Sequence, residues 1–95
     1  MPKPEDVNPH NFKVEHVLFN HDGFSIAWGT WEGNGQRLGM RWDGDGDAGY
    51  PKTFGNPVWF VIPVGLTIPI AAALLAFAGA GVRKTEILSV LTKSK

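Results

Sequence analysis

The run Phe24-Ser25-Ile26-Ala27-Trp28-Gly29-Thr30-Trp31, Glu32-Gly33-Asn34-Gly35-Gln36, Arg37-Leu38-Gly39-Met40-Arg41-Trp42 decides the fold. Its two flanks alternate with a period of two, the signature of strands with one apolar face. Phe24, Ile26 and Trp28 share a face with Leu38, Met40 and Trp42, while Ser25, Ala27 and Gly29 lie opposite with Arg37, Gly39 and Arg41. The segment between them is turn chemistry, with Asn34-Gly35 the strong hairpin signal. An antiparallel pair follows.

Toward the N-terminus, Phe12–Phe19 reads as a further strand that closes at Asn20-His21-Asp22-Gly23. Toward the C-terminus, Asp43 to Pro57 is rich in Gly, Pro and Asp and predicts an irregular loop, with Tyr50 and Phe54 as its anchors. The Tyr50-Pro51 bond is a candidate for the cis form. Val58–Ile62 reads as a fourth strand, apolar on both parities and therefore covered on both faces. Pro63-Val64-Gly65 breaks it. Thr67 is the expected N-cap of a helix running from Ile68 to about Ala78, with Gly79 and Gly81 as stop signals. Val82–Leu91 can form a second short helix, with Ile87, Leu88 and Leu91 on one side.

The expected fold class is therefore α+β: an antiparallel β-sheet, a meander of three to four strands, followed by a C-terminal apolar helix. Residues 1–11 read as a flexible N-terminal arm, 12–80 as the single α+β domain and 81–95 as a C-terminal extension. At 95 residues the chain fits one domain of marginal stability, which a partner subunit would help. It has no Cys, which excludes a disulfide framework and a thiolate metal site. The absence of both disulfides and a recognisable signal segment favours a cytoplasmic location.

Val58 to Val82 carries no charge and is long enough to cross a bilayer, with Arg83-Lys84 at its end. Pro63, Gly65 and Pro69 interrupt it, so strand plus helix is the preferred reading over a membrane anchor spanning 58–82. The helix is apolar around nearly its whole circumference and must be buried on most sides. In a chain this small that burial predicts a homodimer.

Several motif readings fail. Asp43-Gly44-Asp45-Gly46-Asp47 opens like a calcium loop, but Ala48 and Phe54 stand where that loop needs Gly and Glu. His10, His16 and His21 have no metal-ligand spacing. Gly33-Asn34-Gly35 lacks the third Gly and the helix of a dinucleotide site. No serine has an identifiable His–acid pair, and no cofactor is expected.

The sharper feature is the second face of the strands, where Trp31, Arg37 and Arg41 flank the small residues Ala27, Gly29 and Gly39. Such a floor suits stacking and anionic groups; it equally admits a packed element. With Tyr50 and Lys52 of the loop, Trp31, Arg37 and Arg41 form the candidate binding set. Its ligand is a small anion, a protein or a single-stranded nucleic acid. Asp22, Glu15, Glu32, Asp43, Asp45 and Asp47 outnumber the cations of the sheet region, which counts against nucleic acid.

Gly39-Met40-Arg41-Trp42, Gly49-Tyr50-Pro51, Phe54-Gly55-Asn56-Pro57 and Trp59-Phe60 together resemble small bacterial proteins carried on mobile (integron-type) gene cassettes. No activity comes with that resemblance. The order of Leu38–Trp42, loop, Trp59–Pro63 and Leu66–Ala78 also resembles, in topology, the PC4-type single-stranded-DNA-binding modules. That likeness implies a curved sheet carrying Arg and aromatic residues and a helix that dimerises. The resulting expectation is a dimeric, non-enzymatic binding module; a small enzyme or enzyme accessory is the alternative class.

Overall fold

The structure, a computed structural model, describes residues 3–93. Three long strands, β1 (Phe12–His21), β2 (Phe24–Trp31) and β3 (Gln36–Trp42), form the expected antiparallel meander. A two-residue hairpin, β4 (Lys52–Thr53) with β5 (Asn56–Pro57), interrupts the loop that was expected to be irregular. The fourth strand of the main sheet is β6 (Phe60–Val61), giving the order β1-β2-β3-β6. Helices α1 (Thr67–Ala76) and α2 (Lys84–Lys93) complete an α+β fold.

The register follows the alternation. Phe24 pairs with Trp42, Ile26 with Met40, Trp28 with Leu38 and Gly29 with Arg37. Asp22-Gly23, both at positive φ, make the tight β1–β2 turn. The β2–β3 turn is centred two residues earlier than the Asn34-Gly35 signal, on Glu32-Gly33. Glu32, Gly33 and Gly35 all have positive φ, and Asn34 N–H donates to the Trp31 carbonyl at 2.6 Å.

Each sheet face has its own core. On one, Leu18, Ile26, Trp28, Leu38 and Ile62 pack with Ala71 of α1 and with Ile87 and Val90 of α2. The second helix thus belongs to the domain core; it is Ile87 and Val90 that face inward, while Leu88 is exposed. On the other face, Phe12, Val17, Ala27 and Trp59 are buried with Val7. The segment before β1 is therefore laid across the sheet: Pro4–Asp6 form a 3-10 turn, and Trp59 Nε1–H donates to the Val7 carbonyl at 2.7 Å.

Two expectations for α1 change. A 3-10 turn at Val64–Leu66 runs directly into the helix, so Thr67 is its first helical residue and not its cap. The helix ends at Ala76, where Phe77 turns extended, before either glycine. Among the described residues no helix is long and apolar enough to cross a membrane. The uncharged stretch from Val58 is divided instead among β6, the 3-10 turn and α1.

Candidate functional site

The register places Trp31, Arg37 and Arg41 on the same face as Ala27, Gly29 and Gly39, as the alternation requires. That face is filled from within. A Cβ added at Gly39 would lie 3.1 Å from Trp59 Cβ and 3.3 Å from Phe12 Cζ. The small residues make room for the chain's own aromatics.

Arg41 is 1% exposed. Its guanidinium donates to the carbonyls of Ala48, Pro51 (3.2 Å) and Val58 (2.5 Å), and lies 6.0 Å from the Trp59 ring centre. Burial pushes its pKa below the ordinary arginine value, and the Asp43 charge acts in the opposite direction. Arg41 is thus a clamp on the Asp43–Pro57 loop, with those donors committed to backbone oxygens. A second clamp is polar. Ser25 Oγ donates to Asp43 Oδ1 at 2.7 Å, while Asn20 Nδ2 lies 2.8 Å from Ser25 Oγ and 3.1 Å from Asp43 Oδ2. The first aspartate of the acidic run therefore points inward.

The remaining predicted residues separate. Arg37 stacks over Trp31, 5.7 Å from the ring centre, at the opposite end of β3 from Trp42. Lys52 is exposed on the small hairpin. Neither Tyr50 nor Phe54 anchors the loop with its side chain: Phe54 is 99% exposed at the hairpin tip, and Tyr50 is 67% exposed. Tyr50 is held through its backbone, exchanging hydrogen bonds with Trp42 at 2.7 and 2.9 Å, and the following bond to Pro51 is cis.

This fixing of the loop builds an aromatic trough. Phe24, Met40, Trp42, Tyr50, Pro51 and Phe60 line a depression of about 250 Å³. Trp42 and Phe60 are 56% and 64% exposed. Phe24 meets Trp42 edge to face at 4.7 Å, which fixes the indole. A second depression, lined by Phe19, His21, Asp22 and Phe77, shares Phe24 and Trp42 with the first and extends the apolar surface toward the end of α1. Exposed Asp22, Asp45 and Asp47 lie on the segments that border it.

Of the five predicted residues Tyr50 and Arg41 reach the trough: Tyr50 is exposed in it, and buried Arg41 supports it from behind. The alternation puts Trp42, Met40 and Phe24 on the apolar face, and Phe60 falls in a strand that is apolar on both parities and expected to be covered. The available signal was length: a ten-residue helix spans about 15 Å, too short to cover strands of about 23–34 Å.

No family model matches the chain, and neither a curated protein nor a solved structure does.

Proposed function

We propose that this chain is a non-enzymatic binding module whose aromatic trough takes an extended, apolar segment of a protein partner. The observation that carries this is the exposure of Trp42, Tyr50 and Phe60 on a clamped backbone. Contiguous exposed apolar surface of this kind marks interaction sites, and aromatic-lined grooves take proline-containing extended segments that lose little entropy on binding. The trough offers stacking and apolar contact in place of hydrogen-bond readout. Asp22, Asp45 and Asp47 favour a segment with basic flanks and disfavour a phosphate backbone. Of the four segments that carry the resemblance to cassette proteins, the three around Trp42, Tyr50 and Phe60 contribute to this surface, and Phe54–Pro57 does not.

A labelled decapeptide with a proline–leucine core and arginine at both ends tests the reading by fluorescence anisotropy. Binding should weaken by roughly tenfold or more in Trp42→Ala, as for a central aromatic anchor, and in the glutamate-flanked peptide. Equal binding by Trp42→Ala would remove the trough from the account.

A homodimer belongs to the same proposal, on a separate observation. Val64 and Leu66 of the 3-10 turn, Ile68 of α1 and Phe77 just past its end are exposed, and no charge occurs between Val58 and Val82. Two copies can oppose such faces without like-charge repulsion. Sedimentation equilibrium should give a dimer that Ile68→Glu converts to monomer; a monomer for the unaltered chain at micromolar concentration contradicts it.

A further inference from the structure

We propose that one arginine of the partner segment seats in the depression beside the β1–β2 turn, where it pairs with Asp22. This rests on the trough reading and names the residue behind its preference for basic flanks.

The depression, of about 350 Å³, is lined by Phe19, His21, Asp22, Phe24, Trp42 and Phe77. A bulge between Val17 and Phe19 brings Phe19 onto this face, opposite Ile26 of β2. Its ring meets Phe77, just past α1, edge to face at 6.0 Å, as Phe24 meets Trp42 at 4.7 Å. Two fixed aromatic pairs thus stand beside one carboxylate, and Trp42 and Phe77 are both exposed. Aromatic faces attract cations. A guanidinium suits this arrangement best, because its plane can stack on a ring while its N–H groups donate to a carboxylate.

The fold does not need the Asp22 charge. The Asp22-Gly23 turn requires positive φ at both positions, which Asn-Gly supplies equally well. Asp22 is exposed, and its carboxylate enters no ion pair among the described residues. The other acids of this region are placed differently. Asp43 is buried against Ser25 and Asn20, and Asp47 Oδ1 accepts from the Gly49 N–H of its own loop at 2.9 Å. Neither Asp45 nor Asp47 lines either depression. The trough itself has no carboxylate in its lining, and its one charged residue is Arg41, whose guanidinium is held by loop carbonyls. The surface is therefore polarised, acidic at the β1–β2 turn and without a free charge along the aromatics. An apolar segment with an arginine at one end matches it.

Two titrations of the full chain test this. In the first, N-acetyl-arginine methylamide is added alone and followed by ¹H–¹⁵N spectra. The Trp42 indole and the Gly23 amide should shift saturably, with a dissociation constant on the order of 10 mM. Asp22→Asn, which keeps the turn, should abolish the saturation, and the lysine analogue should bind more weakly than the arginine one. In the second, the arginine-flanked decapeptide is compared with one carrying glutamine in place of both arginines. Asp22→Asn should weaken the arginine peptide about tenfold and leave the glutamine peptide unchanged. Asp45→Asn should weaken the arginine peptide by less than about twofold, as for a distant, screened charge. Phe60→Ala, altering a residue that lines the trough but not this depression, should weaken both peptides equally. Linear shifts with the arginine probe, or an equal effect of Asp22→Asn on the two peptides, overturn the arginine site. A Phe60→Ala variant that binds both peptides like the unaltered chain removes the trough reading instead, whatever Asp22→Asn does.

Discussion

Gly29, Gly39 and Gly65 show how differently one residue type is used. A Cβ at Gly29 would run into the backbone carbonyl of Lys13, which cannot swing away. At Gly39 it would press on the Trp59 and Phe12 side chains at 3.1–3.3 Å, which can give slightly. At Gly65 it would meet nothing within 4 Å. Gly29→Ala should therefore destabilise most, and Gly39→Ala by about 1–3 kcal/mol, the usual cost of overpacking. Gly65→Ala should be neutral or slightly stabilising, since it restricts only the unfolded chain. Urea midpoints in that order, at unchanged slope, check the ranking; a tolerant Gly29 contradicts it. These residues also mark a boundary of what the sequence can say. The alternation correctly put Gly29, Gly39, Arg37 and Arg41 on one face. It could not say that Phe12 and Trp59, distant along the chain, fill the space, nor that Arg41 turns toward carbonyls of its own loop.

At the scale of elements, the strands were legible because a two-residue period is a local property. The docking of the N-terminal segment was not, because Pro4–Val7 has no period. Its hold consists of single contacts: Val7 buried at 1% exposure, the Trp59 indole on its carbonyl, and Glu5 Oε2 at 2.7 Å from Arg83 Nη1. The hydrogen bond from Arg83 holds the Glu5 carboxyl below the usual glutamate range. A carboxyl whose pKa is lowered on folding contributes stability above its unfolded pKa and loses it as the pH falls through the folded value. Both partners are about half exposed, so the contribution is small. It should be visible locally. Protection of the Val7 amide against hydrogen exchange should exceed that in Glu5→Gln at neutral pH, and the two should converge in acid. Equal protection throughout would show that Trp59 alone fixes the segment.

The whole molecule is thin, 35 × 32 × 17 Å, with one helix layer on a four-stranded sheet. Thinness explains why strongly apolar sequence does not end in complete burial. The helices cover the middle of their face and leave Met40, Trp42 and Phe60 at its end, beside a loop clamped by Arg41 and Asp43. The residue pattern puts Met40 and Trp42 on the apolar face and Phe60 in a covered strand; the area that two ten-residue helices can cover is a property of the assembled molecule. The four tryptophans report on four regions. Trp42 lies in the trough, Trp31 under Arg37, Trp59 in the core below the N-terminal segment, and Trp28 in the core under the helices. The most direct test of the trough is therefore the assigned indole ¹H–¹⁵N spectrum of the full chain during titration with the arginine-flanked proline–leucine peptide. A saturable shift of the Trp42 indole, with those of Trp28, Trp31 and Trp59 unmoved, is the predicted result. Movement of Trp31 without Trp42, or no saturable shift at any indole, would contradict the account.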